Sequence, residues 1–417
     1  MGTGVLGFDP GLLQAIADRV GTPAYVYSTH LIRAQYNALD DALHGIKHRI
    51  CYSVKANGNL GVLRVLQKLG AGADIVSVGE LRRSLMAKFD PDGIVFSGVG
   101  KTPAEIGEAI RAGVGFINVE STSELDTIIA VANDIKLPAR VGIRVNPDVA
   151  IETHLYMKTG EKTAKFGIPC DEVVSVARRI AAEPRLILRG LAMHIGSQIH
   201  DVTPYHRGTV KLIELVTAIR ASGINTLEAL DVGGGLGVRY HNEKAPTPKA
   251  FADAVVPSVS AAGLGLLCEP GRYLVANAGV LLTRVLYRKH AGGKEYVIVD
   301  AGMSDFVRPS HYNAHHEIIP LRNGDRPEET VNVVGPICET GDFLALDRKM
   351  AAVGPGDVLA VLGTGAYGFV MSSNYNQRPR PPEVVVDGDR YYVARQRETL
   401  DDLFRGETAE PTTWYKA

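Results

Sequence analysis

The sequence predicts an α/β protein: a parallel (β/α)8 barrel of the TIM type with a second, C-terminal antiparallel β domain, a sandwich or a barrel. Three observations carry that expectation. Short segments rich in β-branched residues recur eight times before residue 272, alternating with helical stretches, the pattern of a closed parallel barrel. Beyond residue 272 helical periodicity fades, and short alternating segments separated by Gly, Pro and Asp take over. Glycine is abundant, 45 of 417 residues against a usual share of roughly 7%, as expected where turns are tight or backbone approaches a ligand.

The elements follow in order. MGTGVLGFDPGLLQAIADRVGTP reads as a short helix. AYVYS (24–28) is strand-like and precedes the first barrel helix; it is expected to pair with the C-terminal sheet, the alternative being an extra barrel element. The eight barrel strands are expected at 48–56, 72–77, 93–98, 115–121, 139–147, 188–198, 229–237 and 266–272. Between the first two, Leu60, Val62, Leu63, Leu66 and Leu69 recur at helical spacing and form one buried face. The stretch 148–167 is too long for a simple βα loop, and such loops over the C-terminal face of a barrel are usually functional. The later strands are VLLTRVLYRK, KEYVIVDAG, ETVNVVGPI, DVLAVLGTG, PEVVVDG and RYYVARQ. The expected division is a barrel over 29–272 and a β domain built from 1–28 and 273–417.

Composition narrows the function. Lys and Arg number 45 and Asp and Glu 46, a formal net charge of -1, which argues against nucleic acid as a partner. A hydrophobic share of 45% with 22% charged residues is globular composition, not disorder. Cys51, Cys170, Cys268 and Cys338 are far apart and form no zinc spacing. They are too few for a disulfide scaffold, so a reducing compartment is expected. With no apolar run of about 18 residues and no signal-peptide pattern, the sequence is expected to be cytoplasmic, without a membrane partner.

Barrels of this kind place their chemistry at the C-terminal strand ends. Those ends hold Lys55, Asp74, Ser97, Glu120, Asn146, His194 with Ser197, Gly233 to Gly235, and Glu269 with Arg272. Lys55 ends an apolar strand; it is either a desolvated amine of depressed pKa, suited to a Schiff base, or a side chain that snorkels to water. Both readings stand. Gly233, Gly234 and Gly235, with Gly271 beside them, let backbone N–H groups approach an anion near strands seven and eight, a common phosphate position. No acidic residue follows at the spacing of a dinucleotide fingerprint. Glu269 is a candidate general acid or partner of a protonated heteroaromatic nitrogen, and His194 a base, a stacking platform or a structural residue. Asp74 is read equally well as a cofactor neighbour or a turn residue, while Cys51 and Cys268 are assigned to the core. A lysine, a phosphate cradle and a carboxylate facing one pocket together suggest pyridoxal phosphate. No metal set is evident.

These residues carry a resemblance. YSVKAN (52–57), HIGSQ (194–198), GGGLG (233–237), EPGR (269–272), Arg308-Pro309 with Tyr312, GPICE (335–339), GAYG (365–368) and MSSNYN (371–376) with RPRP (378–381) resemble the meso-diaminopimelate decarboxylases. These belong to the alanine-racemase-like, fold type III pyridoxal-phosphate enzymes. The similarity runs over nearly the whole chain, and its last three motifs separate it from ornithine and arginine decarboxylases. The resemblance implies decarboxylation of meso-diaminopimelate to L-lysine in a head-to-tail homodimer with shared active sites. It implies that Lys55 carries the internal aldimine, that His194 stacks on the cofactor ring, and that Ser197, Gly233 to Gly235 and Gly271 bind phosphate. Glu269 would hold the pyridinium proton. Arg272, Arg308 and Tyr312 would bind the distal end of the amino-acid substrate, and Tyr367 would contact cofactor and substrate. Cys338 and Glu339 would come from the second subunit, Cys338 as proton donor to Cα and Glu339 toward the distal ammonium; a plain core thiol is the other reading of Cys338. A cofactor carrier without catalysis and a racemase of the same fold are the competing functions. A metal-dependent barrel hydrolase is set aside for want of ligands.

Overall fold

In the computed structural model of the chain, residues 7–150, 165–322, 326–410 and 413–414 are described; most of the 148–167 stretch lies outside them. Helix α1 (Pro10–Val20) starts where Asp9 accepts the Gly11 N–H at 2.9 Å. Pro10 occupies its first turn, where a missing N–H costs nothing. Then come β1 (Ala24–Ser28), α2 (Thr29–Ala42), β2 (His48–Ser53), α3 (Leu60–Lys68), β3 (Gly72–Ile75), α4 (Val78–Met86), β4 (Ile94–Phe96), α5 (Pro103–Ala112), β5 (Phe116–Val119), α6 (Thr122–Ile135) and β6 (Ala139–Asn146). From residue 165 on follow β7 (Ile168–Pro169), α7 (Val173–Ala182), β8 (Leu186–Ala192), α8 (Thr203–Ala221), β9 (Ala229–Asp231), α9 (Pro248–Ala261) and β10 (Gly265–Cys268). Ser28, Asn59, Ser77, Thr102, Ser121 and Thr247 cap six of these helices with a side-chain oxygen. Local residue chemistry therefore marks where each of those helices begins.

The eight expected strands form one closed parallel barrel. The order runs β5-β4-β3-β2-β10-β9-β8-β6, and pairing of β6 with β5 completes the ring; β7 pairs only with β6. The observed strands are shorter at their C-terminal ends than the apolar segments suggested, because those segments run on into the βα loops. Lys55 thus sits on a single 3-10 turn (Val54–Ala56) beyond β2, and Asp74 lies inside β3. Within the barrel, Phe116 packs with Cys51, Val95, Ala192 and Leu267.

The second sheet contains β11 (Gly279–Ala291), β12 (Lys294–Val299), β13 (Ile318–Pro320), β14 (Glu328–Val334), β15 (Phe343–Ala351), β16 (Val358–Leu362), β17 (Glu383–Asp387) and β18 (Arg390–Arg395). The short helices α10 (Arg272–Val275) and α11 (Arg308–Tyr312) precede β11 and β13. As expected, β1 joins this sheet, lying between β11 and β17 with all five residues buried. The sheet is mainly antiparallel, but β1 with β17 and β12 with β14 pair in parallel. Two strands escape the sequence pattern. In β15 the run Asp347-Arg348-Lys349 interrupts apolar alternation, and β13 is only three residues long.

Gly142 tests the barrel packing. A Cβ there would lie 1.8 Å from the Phe116 ring, so Gly142→Ala is expected to cost roughly 1–3 kcal/mol by overpacking. Thermal denaturation checks this, and adding Phe116→Leu should recover part of the loss.

Candidate active site

Lys55 leaves β2 at the barrel mouth and points its ammonium at a carboxylate. Its Nζ is 2.8 Å from Asp74 Oδ2, and Asp74 is fully buried. Ser53 Oγ donates to the same oxygen at 2.7 Å and also lies 2.9 Å from the Glu269 carbonyl. Burial pulls the Lys55 pKa down, but the charges of Asp74 and Glu269 outweigh it and hold the group above its ordinary value. The sequence left a depressed amine and a snorkelling side chain both open; the surrounding carboxylates turn the shift upward against desolvation.

Glu269 follows β10 and is buried. Its Oε1 lies 3.5 Å from Ser97 Oγ and its Oε2 3.9 Å from His194 Nδ1. Burial, then the charges of Asp231 and Asp74, push its carboxyl well above the usual range. Asp231, at the end of β9 and fully buried, is pushed up to about 6, chiefly by burial. His194 is part-buried; its Nδ1 accepts the Gly234 N–H at 3.2 Å, which leaves the ring proton on Nε2. Burial, followed by the charges of Lys55 and Arg144, holds this imidazole neutral. Arg144, missed from the sequence, pairs with Glu120 at 2.6 Å, and Glu120 also accepts from Gly98 and Gly167. Asn146 accepts from the Asp148 N–H.

The glycine run is required by close backbone packing. A Cβ on Gly233, Gly234 or Gly235 would lie 2.3, 2.0 or 2.1 Å from the carbonyl oxygen of Met193, Glu269 or Gly196. Two of the three N–H groups are spent inside the chain: Gly233 donates to Asp231 and Gly234 to His194. The N–H groups of Gly235 and of buried Gly271 have no acceptor among the described residues. Gly271 packs against Ser53 and Ala56, which flank the Lys55 turn, and Arg272 Nη2 reaches Ser197 Oγ at 3.1 Å. Ser197, Gly235 and Gly271 thus gather on one rim.

Two buried guanidinium groups face each other beyond that rim. Arg272 donates to Tyr240 Oη at 2.9 Å and lies over the Tyr367 ring at 4.8 Å. Arg308 lies 5.4 Å from the Tyr240 ring and 5.6 Å from Tyr312, and its Nε donates to His316 Nε2 at 3.3 Å. No carboxylate pairs with Arg308 among the described residues. Tyr367, in the left-handed region at φ 55, ties this group to the lysine turn through its N–H to Ala56 O at 2.8 Å.

Cys338 and Glu339 stand apart. Both are exposed on the loop between β14 and β15, and neither is joined to Lys55, Asp74 or Glu269 by a hydrogen bond or ion pair among the described residues. Asp342 pins their loop by accepting the N–H groups of Ile337 and Met303, both at 2.6 Å, while Asn376 accepts the Cys338 N–H at 2.8 Å.

Comparison with known proteins bears on this geometry. Residues 29–276 match the pyridoxal binding domain of the pyridoxal-dependent decarboxylases. A diaminopimelate decarboxylase of Pseudomonas aeruginosa is 49% identical over 399 residues, 96% of each chain. The chain belongs to the diaminopimelate decarboxylases. A solved member from Helicobacter pylori, in complex with L-lysine, superposes with a TM-score of 0.91 at 39% identity, covering 94% of this chain and 98% of that one. A M. jannaschii diaminopimelate decarboxylase, also with L-lysine, gives a TM-score of 0.91 at 36% identity, covering 97% and 95%. The family is pyridoxal-dependent, and the residues here fit pyridoxal phosphate. An amine, two backbone N–H groups without acceptors among the described residues and a buried acid line one mouth, and Asp74 Oδ1 has no donor among those residues.

Asp231, Tyr240 and Arg144 are the site residues that the sequence argument missed. Asp231 had a signal, since it immediately precedes the glycine run in ALDVGGG; Tyr240 had none. Outside the site, donor atoms of His241, His315 and Glu317 lie within 4.8 Å of one another. Arg348 Nη2 is 3.2 Å from His315 Nδ1, and His315 Nε2 is 3.3 Å from Glu317. That arrangement is a hydrogen-bond chain from Arg348 to Glu317, which occupies both ring nitrogens of His315. No helix among the described residues is long and apolar enough to cross a membrane.

Because Asp74 is the larger of the influences raising Lys55, Asp74→Asn is expected to lower its pKa. The pH dependence of Lys55 acylation in cofactor-free protein, read by peptide mass, should then move to lower pH. An unmoved profile would contradict the assignment.

Proposed function

We propose that this enzyme converts meso-2,6-diaminopimelate to L-lysine and carbon dioxide, the last step of lysine biosynthesis, in the cytoplasm and as a homodimer with shared active sites. One observation carries the choice of substrate. Arg308 is buried without a carboxylate partner among the described residues, beside Arg272 and connected through Tyr367 to the Lys55 turn. A buried guanidinium such as Arg308, with no carboxylate partner among the described residues, favours an anionic group from the substrate. A distal carboxylate answers that need, as the cationic tail of ornithine does not. Lysine complexes of the Helicobacter pylori and M. jannaschii relatives support the product.

The barrel, 29–272, holds the cofactor in this reading, while 1–28 and 273–417 bring substrate and dimer motifs. Lys55 Nζ is the covalent attachment point. Ser197, Gly235 and Gly271 hold the phosphate, with Gly233 and Gly234 shaping the rim rather than donating to it. His194 offers a neutral flat ring and Glu269 holds a proton at the ring nitrogen. Bound pyridoxal phosphate supplies an electron sink for the pair left at Cα when carbon dioxide departs. Arg272, Arg308 and Tyr312, with Tyr240 between the guanidinium groups, fix the distal carboxylate, and Tyr367 closes the site beside Lys55. Cys338 of the second subunit delivers the proton to Cα, and its neighbour Glu339 pairs with the distal ammonium. Exposure of both residues on a pinned loop supports a role across a subunit boundary.

Purified enzyme should release carbon dioxide and L-lysine from meso-diaminopimelate; turnover of ornithine or arginine instead would reject the substrate. Lys55→Ala should abolish activity and the borohydride-trapped cofactor on its peptide. Lys55→Ala chains, inactive alone, and Cys338→Ala chains, weak alone, should gain activity when mixed, since one site of each mixed dimer keeps both residues. Arg308→Met is expected to cost roughly 2–5 kcal/mol in kcat/KM, mostly through KM.

A further inference from the structure

Asp231 has no place in the reading above, yet among the acids it is the one whose charge raises Glu269 most. The two end adjacent strands, β9 and β10, and the Glu269 N–H donates to Gly233 O at 2.8 Å, two residues past Asp231. Leu267 stands opposite Asp231 in the β9–β10 register, two residues before Glu269, and both carboxyls are buried at this end of the barrel. Donors around them are scarce. Asp231 Oδ1 takes the Gly233 N–H at 2.9 Å, but Oδ2 is buried with no donor among the described residues. Glu269 has the Ser97 hydroxyl at 3.5 Å, and the His194 nitrogen nearest it is already an acceptor. Around the pair stand Asp74 on β3, Lys55 after β2, Arg144 on β6, His194 after β8, and the buried thiols Cys51 and Cys268. Two ionised carboxylates on adjacent strand ends, out of water and short of donors, are strongly unfavourable, whereas one proton between them satisfies both.

We propose that Asp231 and Glu269 hold one proton jointly, and that Asp231 is a positioning residue that keeps this proton on the carboxyl facing the cofactor's ring nitrogen. The inference rests on the reading of Glu269 as the partner of that nitrogen. In it, Asp231 touches neither substrate nor cofactor and acts only through Glu269.

Infrared difference spectroscopy of the full-length, cofactor-free chain at about pH 7 tests it. Wild type minus Asp231→Asn, and wild type minus Glu269→Gln, should each lose the carbonyl band of one protonated carboxyl per chain, because the proton belongs to the pair. Asp231→Glu should restore it, which a purely structural role for the aspartate would not require. Other buried acids such as Asp305 and Glu80, each pushed up to about 7 by burial, cancel in these differences. A band that survives Asp231→Asn overturns the proposal. Should that variant not fold, the absence of an acid band from the Glu269→Gln difference overturns it equally. The cofactor's absorbance in loaded Glu269→Gln separates the two claims: an unchanged spectrum sinks the ring-nitrogen role of Glu269 and leaves proton sharing to stand on the infrared result.

Discussion

The contact of the Lys55 ammonium with the fully buried Asp74 carboxylate, at 2.8 Å, is the interaction around which the barrel mouth is arranged. A cation on a turn beyond β2 is stable there only because β3 brings a carboxylate beneath it. Ser53 of β2 donates its hydroxyl hydrogen bond to that carboxylate and also lies against the Glu269 carbonyl beyond the neighbouring β10. Polar contacts thereby join β2, β3 and β10 at their C-terminal ends. The same low-dielectric setting makes each charge matter: it neutralises His194, raises Glu269 and holds Lys55 protonated.

Close backbone approach is the second constraint. At Gly234 a methyl group would meet the Glu269 carbonyl at 2.0 Å, so the loops after β8, β9 and β10 touch backbone to backbone. That contact places the His194 ring and the Glu269 carboxyl on fixed supports, with Gly234 N–H holding the imidazole tautomer. Precision of this kind comes from rigid main chain, which a loop separated by side chains would not supply.

The second sheet completes the site from the side. Tyr25 Oη donates to Asp305 O at 2.6 Å, Asn57 Nδ2 to Gly365 O at 3.0 Å, and the Tyr367 N–H to Ala56 O. Strand β1, central in that sheet, leads directly into α2 of the barrel. Arg308 and Tyr312 are thus carried on a sheet that is fastened to the lysine turn, and movement between the two would break buried hydrogen bonds.

Much was determined by the sequence alone. Eight apolar segments with capped helices between them specify the barrel, since periodicity and capping are local properties. Motifs such as YSVKAN, HIGSQ and EPGR marked Lys55, His194, Ser197 and Glu269 at the strand ends. Only the tertiary structure decided the state of those groups. The direction of the Lys55 shift depends on Asp74 and Glu269, which arrive from β3 and β10. Which glycine N–H groups remain available depends on Asp231 and His194 as internal acceptors. Tyr240, between two guanidinium groups, and Asp231, against Glu269, acquire their meaning from contacts made by distant segments. Charge in a buried site is set by everything within a few ångströms, and a linear pattern records only neighbours along the chain.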